Sequence, residues 1–149
     1  MVFATGARWL ALRWTPTFDG NRPITSFIIY QQDINTTTTS IMQVGILEVG
    51  SLMFRNGSFR YNISEDIIPF NNYQFAVQAC NVLGCGNVSA PSPITMTLPV
   101  VPQILDQPDN LTVVEPEDAT FSCLATGRPR PTIAWFRLSD FALLQSSFP

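Results

Sequence analysis

The sequence predicts an all-β protein, and three observations carry that prediction. Apolar and polar residues alternate over short runs, which is the two-residue period of a strand rather than the 3.6-residue period of a helix. Runs rich in Ala, Glu, Lys and Leu are scarce, and 12 prolines interrupt the chain. Turn residues separate the runs at short intervals, a spacing that is typical of a β-sandwich. A chain of 149 residues therefore holds one such domain and part of another, since domains run to about 100–150 residues.

Five strands and three connections are predicted in the first 98 residues. The first strand, WLALRW, places Leu10, Leu12 and Trp14 on one face and alternate residues on the other. Asp-Gly and Pro predict a turn at 17–23, polar residues a loop at 33–40, and two glycines a tight connection at 81–86. The strands cover residues 9–14, 24–32, 58–63, 73–79 and 93–98.

Charge and composition exclude several function classes. Charged residues make up 13% of the chain, against about 25% in an average soluble domain. The net charge is −3 with 8 Lys and Arg, so the basic patch that nucleic acid requires is missing. The chain has no histidine, which removes the commonest general base and most zinc sites. Composition favours a binding module, with no nucleic acid among its partners.

The first 98 residues resemble a fibronectin type III domain. Trp14 and Pro16 stand where that family has its strand-B tryptophan, and Pro23-Ile24 with Phe27 and Ile29 matches its strand C. Ile67-x-Pro69-x-x-x-Tyr73 matches the segment before strand F, and Ala79-x-Asn81-x-x-Gly84-x-Gly86-x-x-Ser89 matches the F–G hairpin. The resemblance implies that Trp14 and Tyr73 are core residues and that the Tyr73 hydroxyl bonds back to nearby backbone.

Two departures from that pattern carry expectations of their own. The N-terminal strand of the family looks mostly missing or altered. We expect Trp9 to pack against the position of that missing strand. The stretch 33–57 is longer than usual and contains the extra apolar segment IMQVGILEV. We expect an extended hairpin there, next to strand C.

The remainder resembles the start of an I-set immunoglobulin domain. Asn110–Val114 matches a first strand, and Ala119–Cys123 a strand B with its core cysteine. Ala125-x-Gly127-x-Pro129-x-Pro131-x-Ile133-x-Trp135 matches the segment that leads into strand C, so the resemblance places Trp135 in the core. We therefore expect a fibronectin type III β-sandwich over 1–98, a linker over 99–102 and an incomplete immunoglobulin-like β-sandwich over 103–149.

The second unit is expected to hold strands A to C only. An immunoglobulin domain needs about 100 residues, and the tail RLSDFALLQSSFP has neither a second core cysteine nor a second tyrosine corner. Roughly 40–50 residues without a disulfide rarely supply a core. We therefore expect the fragment 103–149 to be unstable or to aggregate when it is expressed alone.

Three cysteines bear on the redox compartment. Cys80 and Cys85 flank the predicted turn, close enough for a bridge if the two strands pair. The resemblance favours a Cys80–Cys85 disulfide, and two reduced cysteines remain the alternative. Cys123 is then an unpaired core cysteine whose partner we expect beyond residue 149. No metal site is predicted, because two cysteines without histidine cannot supply four soft ligands.

Five asparagines have the form of glycosylation acceptors. They are Asn35, Asn56, Asn62, Asn87 and Asn110, each followed two residues later by Ser or Thr. Chance would supply roughly one or two. Together with the expected disulfide, this excess favours an extracellular or cell-surface chain.

No catalytic constellation is found, so the chain is predicted not to be an enzyme and to need no cofactor. The pairs Glu65-Asp66 and Glu115-x-Glu117-Asp118 look like solvated turn residues. No apolar run approaches the roughly 20 residues of a membrane span, so no direct membrane contact is expected. A signal peptide is disfavoured because Arg8 and Arg13 interrupt the first apolar run.

The predicted function is a protein-binding or spacer module of a modular cell-surface or matrix protein. Its partners would be cell-surface or matrix proteins that contact the loops and edges of a rigid sandwich. Two alternatives stay open at this point. One is the ectodomain of a receptor tyrosine kinase or phosphatase, and the other is an intracellular muscle-type scaffold in which both domain types alternate.

Overall fold

A computed structural model describes residues 2–17, 21–36, 41–51 and 57–147. The chain divides into two compact units, Met1–Leu98 and Pro99–Pro149. The described residues contain twelve β-strands, one short 3-10 turn at Val49–Ser51 and no α-helix. The predicted all-β class is confirmed. Parts of the turn and the loop predicted at 17–23 and 33–40 lie outside the described residues.

The first unit is a sandwich of two antiparallel sheets. One sheet has the order β1-β2-β5, and the other has the order β4-β3-β6-β7, with β8 also paired to β6. The strands of the unit are β1 (Val2–Thr5), β2 (Leu10–Trp14), β3 (Ser26–Asp33), β4 (Met42–Glu48), β5 (Phe59–Ile63), β6 (Asn72–Asn81), β7 (Gly84–Cys85) and β8 (Thr95–Met96).

The core lies between the two sheets and is built from alternate residues of their strands. At one end an aromatic group joins both sheets, because the Phe27 ring lies 4.6 Å from that of Phe59 and 5.2 Å from that of Trp14. Full burial of such a side chain stabilises the fold by about 1.5–3 kcal/mol. The buried cluster consists of Leu10, Leu12, Phe27, Ile29, Leu47, Phe59, Ile63, Ile67, Tyr73 and Phe75.

Two N-terminal expectations are corrected by the structure. The N-terminal strand is present as β1, which pairs with β2 but is short and has an irregular register between Val2 and Ala4. Trp9 does not pack against a missing strand. Its ring covers Gly6, where an added Cβ would lie only 2.1 Å from Nε1, and 44% of the side chain is exposed. The Trp9 ring thus packs on the turn itself, and this contact requires glycine at position 6.

The extra apolar segment forms the expected hairpin. The strand β4 pairs antiparallel with β3 over Ser26–Gln31, with one register shift. Gly45 lies under the Tyr61 hydroxyl of the opposite sheet, and an added Cβ would overlap that oxygen. Glycine is therefore required at this contact between the two sheets.

The last predicted strand, 93–98, is much shorter than expected. Only β8 (Thr95–Met96) pairs with β6, because Pro91 and Pro93 have no backbone N–H to donate. Two serines replace the missing ladder. Ser89 and Ser92 each donate a backbone N–H to β6 and accept a β6 N–H on the side-chain hydroxyl.

The second unit has two separate two-stranded sheets. The strand β9 (Val100–Asp106) pairs with β10 (Leu124–Arg128), and β11 (Ile133–Arg137) pairs with β12 (Ala142–Ser147). The strands predicted at 110–114 and 119–123 are wrong, since both segments are described and neither pairs with a neighbour. The expectation of a linker at 99–102 is also wrong in part, because β9 begins at Val100. The strand β12 was not predicted.

A close approach of two backbones explains one irregularity in this pairing. The register of β9 and β10 shifts around Gly127, where an added Cβ would lie 3.2 Å from the Cα of Pro102. Proline cannot donate to the ladder, and glycine lets the facing strand move toward it. The large apolar residues of segments 110–114 and 119–123 remain exposed: Leu111, Val113, Val114 and Phe121.

Candidate binding surface

The most prominent surface feature of the first unit is a bridged hairpin tip. The strands β6 and β7 pair through Cys80 with Cys85 and Asn81 with Gly84, which leaves Val82 and Leu83 as the turn. Cys80 and Cys85 are joined by a disulfide, with their Cα atoms 4.0 Å apart. The tip is therefore fixed covalently at its base.

Local chemistry explains why this segment turns so tightly. The side-chain oxygen of Asn81 accepts a hydrogen bond from the backbone N–H of Leu83 at 2.9 Å, which is a typical asparagine turn. Gly84 has a φ of 137°, a conformation that L side chains rarely adopt. Gly86 then donates its N–H to the carbonyl of Ala79. Asn81 and Gly84 thus build a turn that carries its two apolar residues outward.

A chain of hydrogen bonds connects the base of the tip to the sheet. The Gln78 side-chain amide donates to the carbonyl of Gly86 at 2.7 Å, and its oxygen accepts from the Tyr30 hydroxyl at 2.7 Å. Tyr30 belongs to β3, which pairs with β6 along its length. The tip is held by one covalent and two polar links.

The tip is apolar and lies in an uncharged part of the chain. Val82 is 77% exposed and Leu83 is 78% exposed. No Asp, Glu, Lys or Arg occurs between Asp66 and Asp106. The two glycines predict a turn here, but no sequence motif singles out Val82 and Leu83. The charge-free stretch is the signal that could have found them.

A shallow groove of about 450 Å³ lies on the same unit, beside Trp14. The proline-containing segment from Ser89 to Pro93 forms its other wall. The indole Nε1 of Trp14 is buried and donates to no acceptor among the described residues. Trp14 is thus half-buried at the rim of the core rather than at its centre.

The other two predicted core residues have different surroundings. Tyr73 is 1% exposed, and its hydroxyl accepts a hydrogen bond from the backbone N–H of Ile68 at 2.9 Å. This is the bond that the resemblance implied. Trp135 lies on β11 in the second unit, half-buried, with its ring 6.2 Å from that of Phe121. Cys123 is a half-buried free cysteine.

Four of the five predicted glycosylation acceptors are described, and all four are exposed. Asn62 lies on β5, Asn87 follows the bridged hairpin and Asn110 lies in the second unit. The side-chain oxygen of Asn35 accepts a hydrogen bond from Asn72 at 3.3 Å. Asn56 and Thr37, which completes the Asn35 acceptor, lie outside the described residues.

The predicted carboxylate pairs are solvent-exposed. Glu65 and Asp66 follow β5, and the second group lies at 115–118. Over the described ranges, no three Cys, Asp or Glu side chains come together as metal ligands. The pKa of Asp140 is lowered by the adjacent Arg137 guanidinium on the surface of the second unit. No helix in the described part of the chain is long and apolar enough to span a membrane.

Fold and surface together define a β-sandwich module of the kind repeated in multidomain proteins. The family model of the fibronectin type III domain matches residues 2–95, and that of the immunoglobulin I-set domain matches residues 102–147. The chain belongs to the fibronectin type III family, and part of an I-set domain follows it. This agrees with the resemblance drawn from the sequence.

The chain is similar to parts of several curated proteins, one of which is named as a receptor. The chain is 33% identical over 63 residues to rat neogenin and 32% identical over 91 residues to the Drosophila melanogaster protein sidekick. These matches cover 42% and 57% of this chain and only 5% and 4% of the two proteins. A rat protein named netrin receptor DCC is 34% identical over 62 residues, which are 42% of this chain and 4% of that protein.

Among solved structures, domains A168–A170 of titin align with 65% of this chain and 30% of theirs, with a TM-score of 0.53 and 28% identity. The FN1–FN3 domains of chicken CNTN1 align with 74% of this chain and 33% of theirs, with a TM-score of 0.51 and 24% identity. The second likeness shows the fold alone. The chain therefore spans a small fraction of the proteins that it matches.

Proposed function

We propose that this chain is a non-catalytic protein-binding module of a modular adhesion or receptor protein. The observation that carries the proposal is the bridged tip, in which Val82 and Leu83 are both more than three-quarters exposed. A fixed tip loses little conformational entropy when a partner covers it, so more of the contact energy appears as affinity. Its apolar side chains suit an apolar pocket on a partner protein.

The proposal includes a domain division and a compartment. The sandwich extends over residues 1–98, and the I-set part covers residues 102–147 of the unit that follows. The Cys80–Cys85 disulfide and the exposed acceptors Asn62, Asn87 and Asn110 support an extracellular or cell-surface location. The name of one curated relative, netrin receptor DCC, supports a receptor context for such modules.

A secretion experiment tests the compartment. The full chain is expressed behind a heterologous signal sequence in mammalian cells, and its mass is measured before and after enzymatic deglycosylation. We expect a loss of mass, and alkylation of one cysteine per chain, since only Cys123 is free among the three. An unchanged mass together with three alkylated cysteines would contradict the proposal.

A binding experiment tests the tip. The full chain is displayed as a multivalent fusion and screened against an array of cell-surface ectodomains, and each positive is repeated with Leu83→Asp. The matched control is Leu138→Asp, an equally exposed leucine (83%) in the second unit. We expect the tip variant to lose binding and the control to keep it. Equal loss in both variants would refute a role for the tip.

The 28% identity to titin domains favours a second candidate function, that of a module of an intracellular scaffold. That function predicts reduced cysteines and no glycans, so the secretion experiment separates the two candidates.

A further inference from the structure

The outer face of the three-stranded sheet β1-β2-β5 carries an exposed phenylalanine, and a bulge in β1 puts it there. Val2 packs against the core, whereas Phe3 next to it is 45% exposed. Val2 pairs with Leu12 and Ala4 pairs with Ala11, so Phe3 is the extra residue where the register shifts. Bulges re-aim a side chain relative to the regular pleat. This one directs Phe3 over the outside of the sheet.

The Phe3 ring reaches across the middle strand toward β5. Its centroid lies 5.0 Å from the guanidinium carbon of Arg60, on β5, and 5.9 Å from that of Arg13, on β2. Ala11 lies between two core residues of β2 and therefore points outward, yet it is only 4% exposed. The outer side chains of this sheet thus form a covering layer with an aromatic ring in it.

The glycosylation acceptor Asn62 lies on the same face, on the other side of Ala11. Ala11 pairs with Asn62 of β5, and along β5 the exposed residues Arg60 and Asn62 alternate with residues that face the core. Two strand spacings of about 4.8 Å separate β1 from β5, which is about 10 Å. A phenylalanine side chain from one strand and an asparagine bearing one sugar from the other can span that distance. Of the four described acceptors, Asn62 is the one that lies on a strand.

We propose that an N-linked glycan on Asn62 packs its first sugar against the ring of Phe3. The proposal rests on the extracellular location proposed above. The face of an aromatic ring carries partial negative charge, and it attracts the C–H hydrogens on one face of a sugar ring. Stacking also removes apolar area of both groups from water. The first sugar is then part of the folded structure, in addition to keeping the surface soluble.

The attachment step uses a lipid-linked oligosaccharide as the donor. The side-chain nitrogen Nδ2 of Asn62 forms a bond to the anomeric carbon of that donor. The bond from this carbon to the lipid diphosphate breaks, the diphosphate leaves with the electron pair, and the amide nitrogen releases one proton. Ser64 completes the acceptor sequence and is exposed. The bridged tip belongs to the other sheet, so a glycan here and a partner at the tip are compatible.

Thermal unfolding of the full chain, secreted from mammalian cells, tests the contact, and peptide mass spectrometry measures the occupancy of Asn62. Asn62→Gln removes the glycan and should lower the unfolding midpoint of the first unit by about 2–6 °C, as expected for one aromatic contact in a domain of this size. In a Phe3→Ala background, the same change should lower it by less than about 1 °C. The matched control is Phe70→Ala, since Phe70 is 42% exposed in the same unit. That background should keep the full effect of Asn62→Gln.

Two further comparisons isolate the first sugar. An endoglycosidase that leaves a single sugar on each asparagine should leave the midpoint unchanged, because the outer sugars do not contact Phe3. The same variants produced in bacteria carry no glycan, and there the effects of Asn62→Gln and Phe3→Ala should simply add. Asn110→Gln removes an acceptor in the second unit and should not change the midpoint of the first.

Each outcome decides the proposal. A glycan on Asn62 whose loss destabilises the wild-type chain but not Phe3→Ala supports it. An unoccupied Asn62 overturns it, as does a loss of stability that is absent or equal in both backgrounds. Should Phe3→Ala fail to fold by circular dichroism, Phe3→Leu removes the aromatic face, keeps an apolar side chain and carries the same expectation. An occupied Asn62 without coupling to Phe3 leaves the extracellular location standing, whereas a chain without any glycan contradicts that location as well.

Discussion

The two units of this chain have similar strands and opposite burial. The first unit buries a cluster that includes Leu10, Phe27 and Tyr73 at 1% exposure or less. In the second unit, no described residue from Pro99 onward is buried, although β11 is as rich in apolar residues as β2. Apolar residues are thus enough to form a strand, whereas a core requires a second sheet that faces it.

The second unit shows the limit of a two-stranded sheet. An isolated pair of strands is marginally stable in water, and three or more strands with a covered face are needed for independent stability. Its pairs β9–β10 and β11–β12 leave Phe136 and Leu143 more than half exposed.

The largest expected effect comes from truncating one aromatic residue in each unit. Phe27→Ala removes a ring that contacts both Trp14 and Phe59, and it should cost about 3–5 kcal/mol in the free energy of unfolding. Trp135→Ala in the second unit should lower the free energy of the main unfolding transition by less than about 1 kcal/mol, as expected away from a packed core. Urea titration of the full chain, followed by fluorescence, measures both. Equal losses would show that the second unit has a core of its own.

The next largest loss of stability is expected when the paired cysteines, rather than the free one, are replaced. Replacing Cys80 and Cys85 by alanine removes a short covalent loop and should lower the free energy of unfolding by roughly 2 kcal/mol. Cys123→Ser is the matched control and should change it by less than about 0.5 kcal/mol, since that side chain is only half-buried. Thermal unfolding of the unaltered chain with and without reductant measures the contribution of the disulfide directly. A larger loss of stability from Cys123→Ser than from replacing Cys80 and Cys85 would show that the free cysteine, and not the disulfide, stabilises the fold.

A smaller effect is expected at the tyrosine corner. Tyr73→Phe keeps the buried ring but leaves the N–H of Ile68 without its acceptor, which should cost about 1–2 kcal/mol. Tyr30→Phe removes a more exposed hydroxyl that donates to Gln78 and should cost less, about 0.5 kcal/mol. The two variants are compared by urea titration. The idea fails if Tyr30→Phe costs more than Tyr73→Phe.

The smallest effect concerns the ion pair of the second unit. Arg137 donates hydrogen bonds to Asp140, and this contact lowers the pKa of Asp140. Its stabilising contribution is therefore present above the ordinary Asp pKa of about 3.9, and it is lost as pH falls through the lower folded value. Both side chains are exposed to solvent, so Asp140→Asn should leave the thermal midpoint unchanged within error between pH 7 and pH 3. A clear loss of stability at neutral pH would show that the β11–β12 hairpin depends on this pair.

The sequence predicted the first unit well where its motifs contain both members of a contact. Ile67-x-Pro69-x-x-x-Tyr73 carries the tyrosine and the backbone that it bonds, so the corner could be predicted. Strand pairing in the second unit could not be predicted the same way. Segments 110–114 and 119–123 have strand-like residues, but a ladder forms only where a partner strand lies alongside. The exposure of Val82 and Leu83 likewise depends on tertiary structure.

The uncharged stretch from Ile67 to Leu105 has a kinetic consequence. Long-range steering by charge raises association rates far above the basal range of about 10⁵–10⁶ M⁻¹s⁻¹ and makes them fall steeply with added salt. A tip without charges cannot use this acceleration. Encounter with a partner should therefore occur at the basal rate and be nearly independent of ionic strength, and selectivity should reside in how long the complex lasts rather than in how fast it forms.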